Sequence, residues 1–187
     1  MKQNKLALFL IIIGILWTSY KYISKNEELI IEKNRIDNTL QNQVSYLKKD
    51  VDTYDMVLEI PKINLKKGVY SKYDIRNTIK KNVMIHEKSD YPNQENSNLI
   101  LMAHSGNSDI AYFNDLVKLD TDSLIKVYYQ NVKYTYKLDH YYDVDKFMPT
   151  KIIRDKTKNA ITLVTCNQKD KTKQTIYIGY LIDKIYF

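Results

Sequence analysis

The hydrophobic period of this chain changes near residue 56, and that change constrains the fold more than any other feature. Ahead of it, Ile36, Leu40, Val44, Leu47 and Val51 recur every three or four residues among Asn, Gln, Lys and Asp, which places them on one face of a helix. From Met56 onward the apolar residues fall into short β-type runs: MVLEIP (56–61), NLILMA (98–103), LIKVYY (124–129), VKYTYKL (132–138), ITLVT (161–165) and TIYIGYLI (175–182). Runs of this length, rich in Val, Ile, Thr and Tyr and separated by polar segments, predict strands. The fold class expected is therefore mostly β, a barrel or sandwich with a few short helices. LIKVYYQNVKYTYKL reads as a hairpin turning at Gln130 and Asn131, although the Gly usual in such turns is absent. Ile110 to Leu119, with Asp109 as N-cap and Ile110, Phe113, Leu116 and Val117 on one face, predicts a short helix.

The N-terminus is of a different kind. Leu6 to Trp17 reads LALFLIIIGILW, twelve apolar residues without a charge, and the stretch extends to Ile23 if Lys21 snorkels to an interface. That length suits a membrane-spanning helix. A cleaved signal peptide is the rival reading, since Lys2 and Lys5 form a basic leader, but TSYKYIS holds no small-x-small cleavage site. Lysines on both sides of the span, Lys2 and Lys5 before it and Lys21 and Lys25 after it, leave its orientation open by charge count. Three segments result: an anchor over 1–25, a helical stalk or linker over 26–53 that lifts the rest off the membrane, and a β domain over 54–187.

Composition narrows the function classes. The chain has 187 residues, enough for one compact domain plus an anchor. Four Gly and three Pro exclude collagen-like and linker-rich classes. The net charge of +7 comes from lysines scattered along the chain without a recognised nucleic-acid module, so nucleic acid is not an expected partner. A lysine-dominated surface suits an anionic membrane or wall environment instead.

Chemistry falls on few residues. The one Cys, Cys166, forms no internal disulfide, ends the apolar run ITLVT and is followed by the polar stretch NQKDKTKQ. A thiol at a strand end facing a polar loop is a candidate nucleophile, although a lone Cys is more often buried core. His104 likewise follows NLILMA and precedes Ser105, Gly106 and Asn107, a strand end from which a loop presents its side chain. His86, in a polar approach to the next strand, reads as a rim residue, and His140, in a Tyr-rich stretch, as a surface or sheet-face residue. Three separated His without a Cys pair or an HExxH spacing make a metal site an unlikely expectation, and acyl transfer at a thiol calls for no organic cofactor. A thiol and an imidazole brought together make a nucleophile able to form a thioester, completed by a donor to the developing oxyanion.

Taken in order, VLEIPKINLKKGVY (57–70), NSNLILMAHSGNSDIAYFNDLVKL (96–119) and ITLVTCNQKDKTKQTIYIGYLI (161–182) resemble the sortase family, through TLVTC at the cysteine, MAHSG at the histidine and the EIPKI opening. The resemblance covers about residues 54–187 and suggests a class D-like or divergent member. It implies an eight-stranded β-barrel, preceded by a transmembrane helix and a stalk helix, on the outer face of a Gram-positive cell membrane. It further implies cleavage of an LPXTG-like sorting signal on surface proteins, with transfer to an amine of a peptidoglycan precursor or a pilin. Cys166 would form the acyl-enzyme and His104 would protonate the leaving amine and deprotonate the incoming one. The family's third residue is an Arg on the strand after the Cys; here the position counted back from Gly179 is Gln174, preceded by Lys173, and no Arg follows Cys166. Three readings stay open: Gln174 or Lys173 replaces it as donor, Arg154 reaches in from the preceding loop, or the chain is a catalytically impaired, membrane-tethered peptide-binding or scaffold protein. An L,D-transpeptidase shares the Cys and His chemistry but wants a Ser-His-Gly-Cys type motif, which TLVTCNQ is not.

Overall fold

The computed structural model describes residues 2–42 and 53–187, with residues 2–10 and 42 as backbone only. A long helix, α1 (Lys2–Asn42), precedes eight strands: β1 (Met56–Ile60), β2 (Leu65–Val69), β3 (Met84–Ile85), β4 (Asn98–Met102), β5 (Leu124–Tyr129), β6 (Val132–Asp145), β7 (Ala160–Cys166) and β8 (Lys173–Tyr186). They form one sheet in the order β2-β1-β5-β6-β8-β7-β4-β3. Its two edges approach each other where the buried Asn82 side chain donates to Gly68 O at 3.0 Å, so the sheet is a nearly closed barrel. All six expected runs are strands. The two that were not expected are an edge strand whose sequence, LKKGV, carries two lysines, and a strand of two residues.

Inward-facing residues of each strand fill the barrel: Leu58, Ile60, Leu99, Leu101, Ile125, Val127, Tyr136, Leu138, Ile161 and Leu163 are fully buried together. The hairpin turn resolves through Gln130 (φ 50°) and Asn131 (φ 60°), both left-handed, which is the backbone of a type I′ turn without Gly. β6 then continues past the expected Leu138. A bulge between Leu138 and His140 shifts its register against β8, and so even-numbered residues that pointed inward now point outward. Tyr142 and Val144 consequently join Ile100, Val164, Ile176 and Ile178 in a second apolar cluster on the outer face of the sheet. The segment expected as a helix over 110–119 is instead a series of turns ending in a 3₁₀ helix, Asn114–Lys118. The Phe113 N–H that a helix would have directed to residue 109 donates to His104 O at 3.0 Å, and Asp109 pairs with Lys25 rather than capping.

The segment expected as a stalk continues α1, which runs without a break through residues 25 and 26, and its apolar face packs on the barrel. Ile36 is buried, and Leu40 partly buried, against Tyr54, Val57 and Tyr70. A single amphipathic helix has no other surface on which to bury that face. Val44, Leu47 and Val51 lie outside the described residues. Glu32 anchors the next turns: it accepts from the Tyr54 hydroxyl and from Gly68 N (3.4 Å) and pairs with Lys67 Nζ at 3.0 Å. Farther along, Lys25 Nζ lies 3.0 Å from Asp109 Oδ1. Between these contacts the helix stands off the barrel over a cleft of about 980 Å³, lined by Tyr22, Glu28, Lys67, Asp109 and Tyr112 among others. Among the described residues no helix is long and apolar enough to cross a membrane. Five of the twelve residues of the apolar run, Leu6 to Leu10, are described as backbone only.

Gly68 is where helix, Tyr54 and β2 meet most closely. A Cβ there would lie 2.0 Å from Tyr54 Cδ2, on a ring already held by Ile36, Tyr70 and Glu32. Gly68→Ala is expected to destabilise the protein by roughly 1–3 kcal/mol through overpacking, read as a lowered urea midpoint. A second expectation concerns alkali. Burial, reinforced by the hydrogen bond to Glu59 and the repulsion of its charge, pushes the Tyr128 hydroxyl from 10.0 up to about 12. Burial, with Tyr141 and Asp143 nearby, takes Tyr177 from 10.0 to about 12 as well. Because the folded values lie above the unfolded ones, this stabilisation is fully present below pH 10.0 and is lost as pH rises through about 12. Urea midpoints measured across that window should fall steadily, and Tyr128→Phe should make the fall shallower.

Candidate active site

The site is assembled by β4 and β7, the one parallel pair among the described strands. Their partners run from Asn98↔Ala160 to Met102↔Val164, an offset of 62 residues throughout. The same offset separates His104 from Cys166. Three bonds carry the pairing past Met102: Ala103 N to Val164 O (3.3 Å), Thr165 Oγ1 to Ala103 O (2.9 Å) and Ser105 Oγ to Cys166 O (2.6 Å). Side chains at paired positions of a sheet share a face, neighbouring strands being about 4.8 Å apart. Cys166 ends β7, and His104 follows two residues after the last paired residue of β4, so both leave the same end of the parallel pair, and both are half-buried.

A row of paired residues continues onto the next strands. Cys166 pairs with Gln174 across the antiparallel β7–β8 ladder, and Gln174 pairs with Val144 of β6. Cys166, Gln174 and Val144 thus lie side by side across three strands, and the loop bearing His104 leaves β4 at the same end. Gln174 Nε2 donates to Thr150 Oγ1 at 2.7 Å, which leaves its second amide N–H free to point elsewhere. Lys173, its neighbour, falls on the opposite face of β8 by strand alternation, and its Nζ lies 3.7 Å from Asp170 Oδ2. Arg154 is directed to the other end of the barrel, where it donates to the carbonyls of Asn96, Asp155 and Lys158 at 3.0–3.1 Å. Asn96 precedes β4, and Asn98 to His104 is six extended residues, about 20 Å. Neither cation joins the row.

The loops around the row are cross-linked by residues that carried no signal in the sequence. Asn114 Oδ1 accepts from Gly106 N (3.0 Å) on the histidine loop and from Gln168 Nε2 (3.0 Å) on the cysteine loop. Gly106 has φ 120°, a conformation that a side chain would strain. Asn167 folds the turn after Cys166: its Oδ1 accepts from Lys169 N (2.8 Å) and Asp170 N (3.0 Å), while its Nδ2 donates to Asp143 Oδ2 (2.9 Å). Over the outer face lies the β6–β7 connection. Its Ile152 packs into the outer cluster, and Tyr142 OH accepts from Ile153 N at 2.7 Å. Phe147 and Met148 stand exposed at the rim. His140 Nε2 lies 3.3 Å from Ile153 O and its Nδ1 2.7 Å from Asp139 Oδ2, so it braces the connection and not the row. His86 Nδ1 accepts from Lys88 N (3.1 Å), and the His86 N–H donates to Ile100 O (2.9 Å), in the approach to β4 remote from Cys166. Among the described residues no group of three or more His, Cys, Asp and Glu is placed to hold a metal ion.

A thiol paired across the sheet with a primary amide, at the barrel end from which an imidazole-bearing loop leaves, has the parts for acyl transfer: nucleophile, proton carrier and a donor beside the reacting carbon.

Comparison with known proteins agrees with this geometry. The sortase domain model matches residues 58–181. Sortase C1 from Streptococcus agalactiae superposes with a TM-score of 0.63 at 26% identity, covering 77% of this chain and 75% of that one. A Clostridium perfringens sortase D5 transpeptidase superposes at 0.64 with 16% identity, covering 82% and 99%, and Listeria monocytogenes sortase A at 0.60 with 16%, covering 72% and 90%. No curated protein sequence matches the chain. The extent of the domain match, on a barrel of the same fold as these structures, places the chain in the sortase family of cysteine transpeptidases.

Proposed function

We propose that this chain is a membrane-tethered transpeptidase that cleaves an LPXTG-like sorting signal between Thr and Gly and passes the acyl group to an amine of a cell-wall precursor or a pilin. The observation that carries the proposal is the pairing of Cys166 with Gln174 at the end of the parallel β4–β7 pair from which the His104 loop leaves. The Cys166 thiolate attacks the Thr carbonyl. As the C–N bond breaks, the His104 imidazolium gives its proton to the leaving amine, and a thioester remains. The incoming amine attacks the thioester, His104 takes its proton, and the C–S bond breaks to restore the thiolate. Gln174, directly across from Cys166, donates its free amide N–H to the oxyanion formed in each step. The apolar outer cluster and the β6–β7 connection supply a groove floor and wall for the extended signal peptide. The apolar run Leu6–Trp17, extended to Ile23, supplies the membrane anchor, with the barrel on the extracellular side.

A second reading, a sortase-like peptide-binding or scaffold protein without turnover, has one specific observation behind it: no guanidinium stands in the row, and Arg154 is bound elsewhere. One experiment separates the two. Incubated with a sorting-signal peptide and hydroxylamine, the transpeptidase yields the hydroxamate. Cys166→Ala should abolish the product and His104→Ala should lower its rate by about 10²–10⁴, the range for loss of a general acid and base. Peptide binding without any Cys166-dependent product would establish the scaffold reading instead.

Gln174 admits a sharper test. A charged, forked donor stabilises an oxyanion better than a neutral amide, so Gln174→Arg should raise kcat/KM for the peptide by about tenfold or more, and Gln174→Ala should lower it by about 10²–10³. Equal rates in all three proteins would remove Gln174 from the mechanism.

A further inference from the structure

The direction in which α1 leaves the barrel has a consequence for where Cys166, Gln174 and the His104 loop work. β4 and β7 end there, and β8 begins there. Counting alternate directions through the antiparallel pairs β7–β8, β8–β6, β6–β5 and β5–β1, strand β1 runs the same way as β7 and β2 runs opposite. Tyr54 before β1 and Tyr70 after β2 therefore mark the barrel end remote from Cys166. α1 touches that remote end through Ile36, the flank through Glu32, and the Cys166 end through Lys25, whose partner Asp109 lies on the loop that follows His104. The helix consequently emerges, N-terminus outermost, past the end of the barrel that carries the row.

What emerges matches a bilayer in length and chemistry. From Lys25 back to Lys2 the helix rises about 35 Å, against about 30 Å for a hydrocarbon core. The apolar stretch ends at Ile23, about 3 Å of rise from Lys25. Trp17, Tyr20 and Tyr22 are exposed along this turn and Lys21 Nζ lies 4.6 Å from the Trp17 ring, the aromatic and snorkelling pattern of a headgroup layer. Lys169 and Lys171, on the loop after Cys166, are exposed at the same end of the barrel.

We infer that the docked helix holds the end of the barrel bearing Cys166 and Gln174, with the His104 loop, against the bilayer surface. This rests on the anchor assigned under the proposed function.

The lone cysteine supplies the test. Full-length protein is reconstituted in phosphatidylcholine–phosphatidylglycerol vesicles carrying a headgroup-linked acceptor dye, with a maleimide donor dye on Cys166. A second protein, Cys166→Ser with Asn93→Cys, carries the donor on the exposed loop at the other end, where Asn93 contacts the hairpin residue Gln130. The two positions are separated by the length of β4, about 20–25 Å. Energy transfer to the membrane dye should be at least about twofold more efficient from Cys166 than from position 93. Adding Glu32→Ala and Asp109→Lys, which remove the polar contacts of the helix to the flank and to the Cys166 end and leave the Ile36 packing in place, should reduce the difference. Equal transfer from both ends in the intact protein, or greater transfer from position 93, overturns the orientation. Failure of the protein to float with vesicles after alkaline extraction overturns the anchor and this inference together, while Cys166-dependent cleavage of a soluble peptide stands or falls separately.

Discussion

A single parallel pairing, β4 beside β7, is the constraint on which the rest of this structure depends. In an antiparallel pair the last residue of one strand lies beside the first of the next, so two strand ends never meet. A parallel pair brings two ends to the same side of the sheet at a constant offset. Here that pairing brings the end of β7, with Cys166, and the loop after β4, with His104, to the same end of the barrel. The backbone sets their separation, and the Thr165 and Ser105 hydroxyls extend the pairing by one residue each. The third member of the row comes from an antiparallel strand, and it therefore sits at that strand's start, where Gln174 follows Lys173.

Parallel pairing also explains why the site has a roof. Strands in the middle of such a sheet are covered on both faces, and β4 and β7 accordingly read as unbroken apolar runs rather than alternating ones. One face is the barrel interior. The other would expose Ile100, Val164, Ile176 and Ile178, and the β6–β7 connection covers it with Ile152. The segment demanded by burial is thus the segment that walls the groove, and its Thr150 reaches the Gln174 amide.

This division accounts for what was legible in the sequence. Continuous runs such as NLILMA and ITLVT announced the doubly covered strands, and their ends located His104 and Cys166. Edge strand LKKGV stayed hidden because two of its five residues are lysines facing outward or pairing with Glu32. β6 was read only to Leu138 because the bulge beyond it reverses which residues point inward, and a reversed alternation reads as an ending. The apolar face of α1 was visible at Ile36 and Leu40, but periodicity says only that a face must be buried, not that Tyr54, Val57 and Tyr70 will bury it. The count back from Gly179 gave Gln174 and left Lys173 beside it as an alternative donor, and with β8 beginning at residue 173 alternation sends the two to opposite faces. Asn114, Asn167, Asp143 and Thr150 left no trace, since a single polar residue outside a repeating pattern has no period.

The exchange of a guanidinium for Gln174 shifts the electrostatic burden of the proposed reaction onto that same roof. An arginine beside Cys166 would favour thiolate and oxyanion by its charge, largely whatever the local polarity. A neutral amide offers only a dipole, and a dipole gains strength as water is excluded and the local dielectric falls. Ile152 is seated on the apolar floor and Thr150 holds one amide hydrogen, but the Gln174–Thr150 bond is exposed, so water must be displaced from the other amide hydrogen by bound peptide. Catalysis by a neutral row then depends on closure of the β6–β7 connection over the bound peptide, more than it would with an arginine in the same place. The peptide itself contributes to that closure, because its apolar side chains complete the cover over the outer cluster.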